Sequence, residues 1–235
     1  MAPNLIIALI ELLSALASGA LIVGTLKPCR ASGVPYLLAI PVGFALITIS
    51  FIMRLIGSFT AGLPGLELIL GTIYLLFLTY GFLFLAFTYA RRTRLRVIGE
   101  SRLLEIVTGI LVTFIVVEAF VTQYTAPTLI RTNVELFLRP VIGIALLYLI
   151  YETSRNWMLT KRASEGFVVM GFAFLLLGQI GSILAAVDMG PVATFLGYEG
   201  RILGLFVMIA ITYVGIRKGD SFMVLKRLGL AAPAH

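Results

Sequence analysis

The chain has 235 residues, 60% of them hydrophobic and 12% charged, with a net charge of +7. A soluble domain carries about 25% charged residues, so the composition excludes an ordinary water-soluble globule. A single cysteine, Cys29, and a single histidine, His235, exclude an intrachain disulfide and a bis-histidine haem site. They also supply too few ligands for a Cys/His zinc centre.

A hydrocarbon core of about 30 Å is crossed by about 20 apolar helical residues. Stretches of that size recur along nearly the whole chain, over 4–26, 34–57, 64–90, 102–124, 133–153, 165–187 and 193–216. Breakers separate them: "KPCRASGVP", "GSFTAGLPG", "RRTRLRVIGES", "TAPTLIRT", "NWMLTKRAS" and "DMGP". Backbone polar groups in lipid must be satisfied internally, and barrel strands would alternate apolar with polar residues. The expected fold class is therefore all-α, a seven-transmembrane-helix bundle. The first span has no basic segment before it, and "ALA" at 15–17 is read as part of a mature helix rather than a signal-peptide cleavage site. Pro41 and Pro140 are expected to kink the second and fifth spans.

Basic residues are unequally divided between the two ends of these spans. One end and the tail carry Lys27, Arg30, Arg91, Arg92, Arg94, Arg96, Arg102, Arg155, Lys161, Arg162, Arg217, Lys218, Lys226 and Arg227, which is 14 of the 18. The other has Arg54, Arg131, Arg139 and Arg201. The positive-inside rule predicts an external N-terminus, a cytoplasmic C-terminus and a multi-pass protein of the plasma membrane.

Two segments echo each other. "LILGTIYLLFLTY" (68–80) and "RILGLFVMIAITY" (201–213) share Ile-Leu-Gly, and Thr-Tyr at the same distance beyond it. "VGFALITIS" (42–50) falls on "MGFAFLLLG" (170–178), an offset of 128, at which Leu21-Ile22 also meets Leu149-Ile150 and Thr25 meets Thr153. Spans one to three then map onto five to seven. The expected organisation is a first three-helix repeat (1–90), a basic loop and linker helix (91–131), a second, parallel repeat (132–216) and a cytoplasmic tail (217–235).

This 3+1+3 plan resembles the architecture of microbial rhodopsins and of SWEET-type and PQ-loop transporters. The likeness is one of plan only: the seventh span has no lysine for a retinal Schiff base, and no Pro-Gln pair occurs. Residues 19–57 resemble uncharacterised archaeal multi-span membrane proteins, with a small-residue helix, a short basic turn and a "GFAL" helix. That resemblance implies a fold and no activity.

Ionisable residues inside spans point to function, because each costs roughly 2.5–3.5 kcal/mol at mid-bilayer unless paired or hydrated. Glu11, Arg54, Glu67, Glu118, Glu135, Arg139, Glu199 and Arg201 all fall toward the outer third, whereas Glu105 is the one span charge read near the cytoplasmic side. The expectation is either an outward-facing ligand or ion pocket built from Glu11, Glu118, Glu135, Arg139, Gln179, Glu199 and Arg201, or a structural ion-pair network that fixes helix register. Glu135 and Arg139 are four apart on one helix face. Glu199 and Arg201, two apart, need partners on other helices. The 128-residue offset makes Glu11 and Arg139 equivalent, which could set them face to face. Arg54 and Glu67 read as side chains reaching for the interface.

Arg91, Arg92, Arg94 and Arg96 are expected to contact anionic lipid headgroups on the cytoplasmic side. No aromatics interleave with them, so nucleic acid is not an expected partner. Residues 222–228 form a short amphipathic run expected on the inner surface. No catalytic constellation, metal site or cofactor is expected, and the chain is not read as an enzyme. The functional expectation is a small-solute or ion transporter or channel. The alternatives are a sensor or receptor-like protein that signals through a cytoplasmic partner, and a non-catalytic accessory subunit of a membrane complex. A homo-oligomer or membrane-complex partner is in keeping with each.

Overall fold

The computed structural model describes residues 5–32, 35–60, 63–92, 127–161 and 163–217. They form six long helices: α1 (Leu5–Ala31), α2 (Ala39–Phe59), α3 (Pro64–Arg92), α4 (Pro127–Thr160), α5 (Ala163–Ala186) and α6 (Pro191–Arg217). A single 3-10 turn, Pro35–Leu38, leads into α2. All six helices are long and apolar enough to cross a membrane, and no strand occurs among the described residues. The chain is thus an all-helical, multi-pass membrane protein. The fourth predicted span, 102–124, and the amphipathic run at 222–228 lie outside the described residues, so the described count is six where the sequence predicted seven.

The helices pack as a ring: α1 against α2, α2 against α3, α3 against α4, α4 against α5, α5 against α6, and α6 back onto α1. Leu21, Ile47, Phe51, Leu78, Leu138, Leu146, Leu149 and Phe172 fill its interior. The outer faces are equally apolar, with Leu5, Leu9, Leu16, Val23, Ile144, Leu147, Phe195 and Phe206 exposed. A helix hydrophobic all round is stable only where its surroundings are apolar too.

Buried hydroxyls are satisfied within their own helices. Ser14, Ser18, Thr25, Thr79, Thr153 and Thr212 each donate to the carbonyl four residues earlier, at 2.6–2.9 Å. Thr48 of α2 also reaches Ser18 of α1, Oγ to Oγ at 2.9 Å, a polar tie between helices.

Backbone approach is closest between α5 and α6. A Cβ added at Gly178 would lie 2.8 Å from the Arg201 nitrogen, and one at Gly204 would lie 2.8 Å from the Gly171 carbonyl oxygen. Gly200 and Gly204, four apart, let the two backbones touch. Gly43 and Gly81 do the same for α2 and α3. Gly71 has no atom within 4 Å of an added Cβ, unlike Gly204, its counterpart in the Ile-Leu-Gly match. The two glycines that open the echo therefore have different surroundings.

Several boundaries differ from the sequence reading. α1 continues through Pro28 to Ala31, because a proline in the last turn forfeits only one internal bond and Ser32 N–H still donates to the Pro28 carbonyl. Pro41 is the third residue of α2, where its missing N–H would have had no helical partner, so it starts the helix rather than kinking its middle. Pro140 does lie inside a helix, α4. That helix begins at Pro127 and runs to Thr160, longer than the span read at 133–153. A tight turn closes it: Lys161 adopts φ 56°, and its N–H donates to the Trp157 carbonyl at 2.8 Å.

Candidate functional site

Polar side chains gather at one end of the ring, where α1, α3, α4 and α6 begin and α2 and α5 end. A cavity of about 400 Å³ opens there, and every helix contributes to its wall. Glu11 comes from α1, Arg54 from α2, Tyr74 from α3, Glu135 and Arg139 from α4, Ser182 from α5, and Tyr198 and Arg201 from α6.

Arg201 is the centre of this group. The close contact of Gly178 with its backbone holds α6 against α5 and directs the side chain across the ring. Its Nη2 lies 3.0 Å from Oε1 of the fully buried Glu11. The guanidinium carbon sits 4.7 Å from the ring centre of Phe51 and 5.4 Å from that of Tyr198, so aromatic faces flank the charge. The contact with Glu11 is an ion pair by distance but lacks the angle of a directed hydrogen bond. Neither Glu11 oxygen, nor Nε and Nη2 of Arg201, has a hydrogen-bond partner among the described residues.

A second pair lies on α4. Arg139 Nε donates to Glu135 Oε2 at 3.3 Å, and Nη1 reaches the Gln179 amide oxygen of α5 at 3.4 Å. Arg54 is the third guanidinium. It rests over the Tyr74 ring at 5.5 Å, and no carboxylate lies within ion-pair distance of it among the described residues.

Four of the sequence-predicted residues, Glu11, Glu135, Arg139 and Arg201, share the cavity wall, and Gln179 is joined to it through Arg139. Glu199 is partly buried but not on the wall; two residues from Arg201, it points elsewhere, as helical geometry requires. Glu118, Arg94 and Arg96 lie outside the described residues. Arg91 and Arg92 are the last two residues of α3. The face-to-face pairing of Glu11 with Arg139 does not form. Glu11 pairs with Arg201 because α6, not α4, is the ring neighbour of α1.

Sequence reasoning missed other residues. Arg54, read as reaching for the interface, turns inward onto the cavity wall. Tyr74 and Tyr198 flank guanidinium groups there. At the opposite end, Glu152 and Glu165 are buried, although the inner halves of the spans were read as nearly free of charge. Spacing held the clue: Leu138, Ile142, Ala145, Leu149 and Glu152 alternate by four and three, the seam of a packed helix.

Among the described residues, no group of three or more His, Cys, Asp or Glu side chains could hold a metal ion. Comparison with protein-family models, curated proteins and solved structures gives no match.

Proposed function

We propose that this chain is a non-enzymatic membrane transporter or channel for a small polar solute, which enters the cavity from the outer face. The observation behind the reading is the cavity wall itself. Five charged side chains from four helices line about 400 Å³ of space at one end of a membrane-crossing ring. Charges used only to fix helix register are best packed against each other. Four of these five do pair with each other, but all five also border a space within the range of small-molecule sites.

The orientation is part of the proposal. Lys27, Arg30, Arg155, Lys161 and Arg217 fall at the end opposite the cavity, which supports a cytoplasmic placement for that end. A seventh crossing is also proposed, and the start of both α3 and α4 at the cavity end supports it. The matching neighbour order of α1–α2–α3 and α4–α5–α6 supports the two-triplet plan.

Thiol labelling in intact cells tests the reading. Cys29 is buried, so the parent protein serves as a low-background control. With Ser182→Cys, a membrane-impermeant maleimide added outside should modify the new thiol. Failure to react from either face would mean a sealed structural network and would end the transport reading.

A further inference from the structure

Resting on the solute-pocket reading, we infer that the occupant of the cavity is a small organic monoanion and that Arg54 is its counter-ion. The wall carries three arginines, Arg54, Arg139 and Arg201, against two glutamates, Glu11 and Glu135. Arg201 is paired with Glu11, and Arg139 with Glu135. Among the described residues one positive charge is left over, on Arg54, which rests over the face of Tyr74 with the carboxylates of Glu11 and Glu135 at longer range. A ring face compensates a cation only in part, and a desolvated charge without a counter-charge is costly. A ligand bearing one negative charge brings the described wall to neutrality.

The donors favour an oxyanion. Guanidinium groups present planar forks that match a carboxylate or a phosphodiester better than a spherical ion. Arg201, on the same wall, adds a second guanidinium, with its Nη2 held against Glu11 Oε1 at 3.0 Å. The rest of the wall suits an apolar body, with Ile7, Ala185, Ala186 and the ring of Tyr198. Cationic solutes are disfavoured by the surplus charge, and neutral sugars would leave it uncompensated. The same oxyanion chemistry is offered by a free carboxylate and by the phosphodiester of a lipid headgroup.

The test uses full-length Ser182→Cys protein in detergent, with benzoate, its neutral isostere benzamide, and short-chain dihexanoyl-phosphatidylglycerol as probes at constant ionic strength. Benzoate at ten times its dissociation constant should slow thiol modification about tenfold, whereas benzamide should not. Protection by the short-chain lipid alone would assign the oxyanion to a headgroup and keep the inference. Arg54→Gln should weaken the protecting anion about tenfold to a hundredfold, the worth of charge-assisted hydrogen bonds. Arg54→Lys should recover part of that loss. A thiol that reacts but is protected by neither anion, or equally by benzamide, overturns the anion inference and leaves the solute pocket standing. So does undiminished protection in Arg54→Gln. A thiol that reacts with nothing overturns both.

Discussion

Glu11 and Arg201 meet at 3.0 Å in the interior of the ring, from helices at opposite ends of the described chain. The pair lies in the seam where α6 packs back onto α1 and adds a polar tie to that closure of the ring. Removing one partner strands the other charge among Phe51 and its neighbours, whereas removing both leaves neither charge stranded. Arg201→Met and Glu11→Leu should therefore each destabilise the protein by about 3–5 kcal/mol. The double variant should lose clearly less than the sum of the two. Equilibrium unfolding in mixed micelles, arranged as a double-mutant cycle, measures the coupling. Simple additivity would show that the pair is not an energetic unit.

Gly178 and Gly71 offer a paired test of helix approach. At Gly178 an added methyl would meet the Arg201 nitrogen at 2.8 Å and the Gly197 oxygen at 3.1 Å, both backbone atoms that cannot swing aside. Gly178→Ala should cost about 1–3 kcal/mol by forcing α5 and α6 apart, and it should displace Arg201 from Glu11. Gly71→Ala meets open space and removes a flexible residue from a helix interior, so a gain of about 0.4–1 kcal/mol is expected. Thermal melts of the two variants in one detergent decide the matter. Equal effects would mean that the close crossing is not what these glycines serve.

Much of this was legible in the sequence, for reasons that differ by feature. Hydropathy alone located α2, α3, α5 and α6 to within a few residues, because lipid-crossing length and composition leave few alternatives. The ends of α1 and α4 were misjudged, since Pro28 and the polar run around Asn156 read as breakers while the backbone bonds there persist. Charge depth brought Glu11, Glu135, Arg139 and Arg201 to one end correctly. Pairing was not legible: which acid meets which base depends on ring order, and nothing in the spacing announced that α6 would close onto α1. Arg54 was misread for a related reason. Its distance from the helix end suited an interfacial side chain, and the Tyr74 ring on α3, over which it rests inside the cavity, was not visible in the spacing.

Glu152 provides the converse of the Glu11 case. It is buried on the packed seam of α4, and its Oε2 has no hydrogen-bond partner among the described residues. An unsatisfied buried polar group is a cost that an apolar replacement relieves. Glu152→Leu should accordingly be as stable as the parent, or more stable by about 1 kcal/mol, whereas Glu11→Leu should not. Unfolding measured side by side checks the contrast. A loss of stability at Glu152 comparable to that at Glu11 would mean that this carboxyl is held by a partner of real strength.

The two short turns around α5 lie at opposite ends of the bundle and give a direct test of orientation. Ala163 follows the α4–α5 turn, next to Lys161, and Met189 lies in the α5–α6 turn beside the cavity mouth. Both residues are exposed, so a thiol at either can be reached without disturbing the core. Basic residues flank Ala163, at Arg155, Lys161 and Arg162, whereas the turn at 187–190 carries Asp188 and no cation. Retention of Lys and Arg on the cytoplasmic side then requires Met189→Cys to be labelled by an impermeant reagent in intact cells, and Ala163→Cys only after the membrane is opened. The reverse pattern would turn the cavity toward the cytoplasm. The arginine cluster and its surplus charge would then face metabolites inside the cell rather than solutes outside it.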